Sequence, residues 1–154
     1  MTKISCVICA YNEADRIRGV LDIVALHPLF DEIIVVDDGS TDDTRDVLRS
    51  YPGLRVIACK TNRGKTYALS EGIAAAQSRL IMLLDADLTG LTAENLSALA
   101  KPVLEGKSEV SIAVFHDGLL VCAGVAVAAA LAALTVPDAD AAPTMTRQRR
   151  RVRA

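Results

Sequence analysis

The chain has no tryptophan, two phenylalanines and three tyrosines in 154 residues. So few rings exclude an aromatic platform for stacking single-stranded nucleic acid. Charge of one sign is also lacking. Seventeen Lys and Arg stand against nineteen Asp and Glu, a net charge of -2, which gives no electrostatic footprint for a nucleic-acid partner. Only the end, Arg147-Gln148-Arg149-Arg150-Arg151-Val152-Arg153, is strongly basic. Histidine is nearly absent, and His27 and His116 have no metal-ligand neighbours in sequence; both read as ordinary surface residues. The first apolar run is short and passes at once into Tyr11-Asn12-Glu13-Ala14-Asp15-Arg16, which is not the pattern of a secretory signal.

Four cysteines are too few and too scattered for a disulfide framework. Cys6 and Cys9 form a C-x-x-C inside the apolar run Ile4–Ala10. On a strand, residues three apart point to opposite faces, so a shared metal or a redox pair is not expected and both read as small buried hydrophobes. Cys59 and Cys122 have no evident partner. Reduced cysteines fit a reducing compartment, and the expected location is cytoplasmic, with the inner face of a membrane as the alternative.

What the chain does have is alternation. Ile4–Ala10, Ile33–Val36, Leu54–Ala58, Leu80–Leu84 and Glu109–Phe115 read as strands. Between them lie helical segments: Ala14–Leu26 with Ile17, Val20, Leu21 and Val24 inward; a helix opening at Ser40–Thr44, capped by Ser or Thr; one after the Asn62-Arg63-Gly64-Lys65 turn with Leu69, Gly72, Ile73 and Ala76 buried; and Ala93–Leu104, capped by Thr92. Strands alternating with helices make an α/β layer with a mostly parallel sheet. Ligands of such sheets bind beyond the carboxyl ends of the strands. Tyr11–Glu13, Asp37–Ser40 and Asp85–Asp87 each follow a strand directly, so three segments converge on one rim.

Two of these segments carry paired acids. Asp85-Ala86-Asp87 closes Leu80–Leu84, and Asp37-Asp38-Gly39-Ser40 closes Ile33–Val36. Ionised carboxylates beside buried strands need cations, donors or water, and close pairs repel. A divalent cation with a phosphorylated ligand resolves both costs, since hard cations take oxygen ligands. Alone, Asp37 and Asp38 fit helix-cap and turn chemistry equally well.

As a set, Cys9-Ala10-Tyr11-Asn12-Glu13, Val35-Val36-Asp37-Asp38-Gly39-Ser40-Thr41-Asp42-Asp43-Thr44, Asn62-Arg63-Gly64-Lys65 and Leu84-Asp85-Ala86-Asp87 resemble the inverting glycosyltransferases of family 2. The resemblance covers roughly residues 3–114 and implies a Rossmann-like GT-A layer. It also implies roles. Ala10, Tyr11 and Glu13 would border the nucleotide base, and Asp38 would accept hydrogen bonds from it. Asp85 would face the ribose or assist the metal. Asp87 would bind Mg²⁺ or Mn²⁺ bridging the diphosphate of a UDP- or GDP-sugar, and Lys65 would add positive charge nearby. The general base that the family takes from its acceptor-binding half has no counterpart among the 67 residues after Asp87. Asp117 is the only nearby carboxylate after the fifth strand and is not taken as the base; Asp138 and Asp140 lie in a Pro- and Ala-rich tail.

The resemblance therefore implies a nucleotide-sugar-binding domain over 1–115 and a divergent segment over 116–154. Within the latter, Leu119–Val136 is 18 residues without a charge, seven of them Ala. A truncated or frame-shifted reading frame ranks first as its origin, a buried or frayed helix second, a membrane span third. Two rival functions remain. One is a non-catalytic fragment that binds a nucleotide-sugar. The other rests on Asp85-Ala86-Asp87-Leu88-Thr89, which fits the D-x-D-x-T nucleophile motif of haloacid-dehalogenase-type phosphatases. The sugar and the acceptor are not legible.

Overall fold

The computed structural model describes residues 4–116 and 119–125. Asp117, Asp138, Asp140, the apolar run beyond Val125 and the basic tail lie outside the described residues. The elements run β1 (Ile4–Ala10), α1 (Ile17–Val24), β2 (Phe30–Asp37), α2 (Thr44–Arg49), β3 (Leu54–Ala58), α3 (Lys65–Ala75), β4 (Leu80–Asp85), α4 (Ala93–Leu104), β5 (Val110–His116) and β6 (Leu119–Val125).

β1 to β4 form one sheet in the order β3-β2-β1-β4, all parallel. β1 and β2 are its centre, and both are buried along most of their length. This accounts for their continuous apolar runs, which a strand covered on both faces requires. Ile4, Cys6 and Ile8 face one side, where they pack with Ile17, Val20, Leu21 and Val24 of α1, Val47 and Leu48 of α2, and Leu96 and Ala100 of α4. Val7 faces the other side with Ile34, Val36 and Ala68 of α3, and Cys9 packs there too. Cys6 and Cys9 are free thiols on opposite faces. Burial pushes them up to about 12 and about 11 respectively, so neither is a thiolate at neutral pH.

Several boundaries differ from the sequence expectation, each for a physical reason. α1 starts three residues late, because Ala14–Arg16 form a turn closed by Arg16 and Ile17 N–H groups on the Glu13 carbonyl. α2 starts at Thr44; Asp43 at its N-cap makes no capping bond, and Asp42 Oδ1 accepts from Thr44 N at 3.0 Å instead. The hydroxyls expected to cap it reach across to the loop after β1: Ser40 Oγ accepts from Asn12 N at 3.0 Å and Thr44 Oγ1 from Glu13 N at 2.9 Å. In α3 the buried residues are Ala68 and Gly72, while Ile73 is exposed. A Cβ on Gly72 would lie 2.4 Å from Val7 Cγ1, so the helix approaches β1 by its smallest side chains and turns Ile73 outward. The cap of α4 is as expected and is a full capping box, with Thr92 and Asn95 bonding each other's backbone N–H.

The end of the described chain departs furthest. β5 does not join the parallel sheet; it pairs with β6 in a separate antiparallel ribbon. Leu119–Val125 is therefore a strand, which corrects the reading of that stretch as the start of a helix or of a membrane span. Among the described residues no helix is long and apolar enough to cross a membrane.

Candidate active site

In the order β3-β2-β1-β4 the chain leaves β1 toward β2 and β3, then returns to the other flank of β1 with β4. The carboxyl ends of β1 and β4 thus flank the point where the winding reverses, where open α/β sheets hold ligands. The loops after β1, β2 and β4 and the start of α3 enclose a pocket of about 260 Å³ there. Ala10, Tyr11, Glu13, Asp38, Lys65, Asp85 and Asp87 all line it, joined by Cys9, Asn62, Ala68 and Ala86. The seven residues that the resemblance assigns to the donor site are brought together, and Asp38 and Asp87 share one cavity.

The walls are held by specific bonds. Asn12 sits at φ +56° and accepts from Thr41 N at 2.8 Å through Oδ1, locking the β1 loop to the β2 loop. Glu13 pairs with Arg16 at 2.7 Å, a charge contact without the angle of a hydrogen bond. Asp37 and Asp38 then divide. Asp37 is fully buried, pairs with Arg45 Nε at 2.5 Å and accepts from Ser40 N at 2.9 Å. It is a structural residue that closes its own turn. Asp38 is also buried and aims at the other side, accepting from Arg63 N at 3.0 Å and Gly64 N at 2.7 Å.

At the end of β4, Lys65 Nζ lies 2.7 Å from Asp85 Oδ1. That hydrogen bond to Asp85 holds the ammonium above the ordinary lysine range, and the Asp87 charge adds to it. Asp87 itself is exposed and makes no ion pair among the described residues. No three His, Cys, Asp or Glu side chains gather as a metal cluster among the described residues. Two carboxylates of hard oxygens suit Mg²⁺ or Mn²⁺ in donor type, with the rest of the shell left to water or ligand oxygens. Arg45 as the partner of Asp37 was not legible from sequence, since no spacing rule pairs them. Asn62 was legible only as part of a turn.

A second, larger groove of about 660 Å³ runs along the outer side of β4, sharing Lys65 and Asp85 with the pocket. Its walls are mostly apolar, from Leu80–Leu84, Leu99 and Val103, so it offers little chemistry of its own.

The profile of glycosyl transferase family 2 matches residues 5–118. Among curated proteins, the poly-beta-1,6-N-acetyl-D-glucosamine synthase of Staphylococcus epidermidis is 34% identical over 88 residues, 54% of this chain and 21% of that protein. The dodecaprenyl-phosphate galacturonate synthase of Rhizobium johnstonii is 37% identical over 95 residues, 56% of this chain and 28% of that protein. The chain thus spans between a fifth and a third of these relatives. Among solved structures, glucosyl-3-phosphoglycerate synthase from Mycobacterium tuberculosis in complex with Mn²⁺, UDP-glucose and phosphoglyceric acid superposes with a TM-score of 0.61 at 34% identity, over 69% of this chain and 40% of that one. By profile, sequence and fold together, this chain belongs to glycosyl transferase family 2, with the family's GT-A type of α/β layer.

Proposed function

We propose that the chain is the donor-binding part of a glycosyltransferase that takes a nucleotide-diphosphate sugar, a UDP- or GDP-sugar, together with Mg²⁺ or Mn²⁺. The observation that carries the reading is the convergence of the β1, β2 and β4 loops and Lys65 on one pocket. The related glucosyl-3-phosphoglycerate synthase, crystallised with Mn²⁺ and UDP-glucose, supports it. Family membership sets aside the phosphatase reading of Asp85 and Asp87.

In this reading Ala10, Tyr11 and Glu13 border the base, with Asp38 beneath it. Asp85, already neutralised by Lys65, faces the ribose. Asp87, without an ion pair among the described residues, would be the carboxylate to hold a divalent cation. Such a cation, when bound, neutralises charge on the departing nucleoside diphosphate as a Lewis acid. Lys65 adds a fixed positive charge at the same rim.

A second reading, binding without turnover, has an observation in its favour. Every residue lining the pocket lies at or before Asp87, so among the described residues no later carboxylate reaches it to deprotonate an acceptor hydroxyl. Calorimetry with UDP and GDP, each with and without Mn²⁺, tests the donor site. Metal-dependent binding is expected; binding of neither nucleotide refutes the reading. A labelled-sugar transfer assay separates the two forms, with little or no transfer expected from this chain alone.

A further inference from the structure

The buried carboxylate of Asp38 is engaged before any ligand arrives. Arg63 N donates to Oδ1 at 3.0 Å and to Oδ2 at 3.1 Å, and Gly64 N donates to Oδ2 at 2.7 Å. Those N–H groups belong to the turn that starts α3. Gly64 is at φ +94° and immediately precedes Lys65, the first residue of the helix. Asn62 Oδ1 also accepts from Gly64 N, at 3.1 Å, so the turn is held from within and from below.

Gly39 supplies an independent observation on the same turn. It stands at φ +77°, and a Cβ there would meet Thr61 C at 2.5 Å and Asn62 N at 2.6 Å. The backbones of the β2 loop and of the 61–64 turn are therefore in direct contact, an approach that only glycine permits. Asp38 bonds the turn and Gly39 lets it close. Beyond the turn, Lys65 reaches 2.7 Å to Asp85. One connected path links the acid after β2 to the acid that ends β4, 47 residues later.

We propose that Asp38 is a positioning residue: by seating the 62–64 turn it aims Lys65 at Asp85 and so leaves Asp87 as the one unpaired carboxylate of the pair. The consequence for ligand binding rests on the donor-site reading; the positioning itself does not. A direct contact with the base and a positioning role make opposite predictions for a ligand that has no base.

The test uses inorganic pyrophosphate with Mn²⁺ beside UDP with Mn²⁺. Asp38→Asn removes the charge and one strong acceptor, at a scale of one charged hydrogen bond. If Asp38 positions, pyrophosphate weakens as well as UDP, by about tenfold, and the pyrophosphate loss disappears in a Lys65→Met background. If only UDP weakens, or if the loss is equal with and without Lys65, the proposal is wrong. A second measurement needs no ligand. The side-chain carboxyl carbon signal of Asp85 in the free protein is expected to move in Asp38→Asn and in Gly39→Ala, in the direction that Lys65→Met moves it. Gly39→Ala changes no charge, so it separates geometry from electrostatics. An unmoved Asp85 signal in a folded Asp38→Asn overturns the proposal even if the wild type binds nucleotide. A moved signal with no nucleotide or pyrophosphate binding upholds it while refuting the donor site.

Discussion

The two ends of the parallel sheet use the same residue types for opposite purposes. At the amino end of the strands, Glu32 is surrounded by partners. Ser5 Oγ donates to it at 2.5 Å, Gln77 N donates at 2.6 Å, and Ser78 N donates to Ser5 Oγ at 3.0 Å. Arg55 stands 3.8 Å away. That cluster ties the α3–β4 connection to β1 and β2 and leaves its carboxylate committed. At the carboxyl end, Asp37 is likewise committed to Arg45 and Ser40 N, but Asp87 has no ion-pair partner among the described residues and opens on a pocket. A carboxylate whose partners are all supplied by the fold is structure. One left over on a rim where three loops meet is available for a ligand.

The contrast can be broken most forcefully at Asp87. Asp87→Ala is expected to abolish Mn²⁺-dependent nucleotide binding in calorimetry, a loss of several kcal/mol, while the thermal midpoint stays near that of the wild type. Asp37→Ala should do the reverse. It strips a fully buried acid from Arg45 and Ser40 N, at a cost of about 2 kcal/mol in urea unfolding; a stability equal to wild type would remove Asp37 from the structural class. At the other end, Glu32→Gln is expected to cost about 1 kcal/mol at neutral pH without changing nucleotide affinity. Its pH dependence sharpens the point. Burial raises the Glu32 carboxyl, but the Ser5 hydroxyl, the Gln77 N–H, Arg55 and the Ser78 N–H outweigh it and hold the group below its usual 4.5. A depressed carboxyl contributes stability that is fully present above 4.5 and lost as pH falls through the folded value. The gap between wild type and Glu32→Gln should therefore narrow below 4.5 in unfolding experiments; a constant gap would contradict the assignment. The smallest effect is expected for Arg55→Met, a few tenths of a kcal/mol, because that pair is long and its Arg55 side chain is half-exposed. A larger loss would mean that charge, not the Ser5 and backbone donors, closes this end.

The elements legible in the sequence were those decided by local pattern. β1 and β3 match their apolar runs residue for residue, and the Thr92 cap is a short-range motif. The convergence of the site followed from one rule about where parallel strands point, so Tyr11, Asp38 and Asp87 were placed together without any knowledge of distances. Features set by the third dimension were illegible. The stripe of α3 was misread because Val7 admits only Gly72 beside it. Ser40 and Thr44 were read as caps because nothing in the sequence says that Asn12 and Glu13 need acceptors. The Lys65–Asp85 pair joins residues 20 apart, and no spacing rule reaches that far. The β5–β6 ribbon was missed because Leu119–Val125 is apolar without alternation, a pattern that strands and helices share.

One asymmetry of the sheet bears on anyone who handles the protein. α3 lies over β1 and β2, so Ile81 and Leu83 on that side of β4 are left in water, each more than a third exposed. Among the described residues β4 also has no hydrogen-bonded neighbour on its outer side. A raw strand margin with greasy side chains recruits company. Where that margin is left uncovered, association in concentrated stocks is expected, and a charged substitution at Leu83 is expected to reduce it.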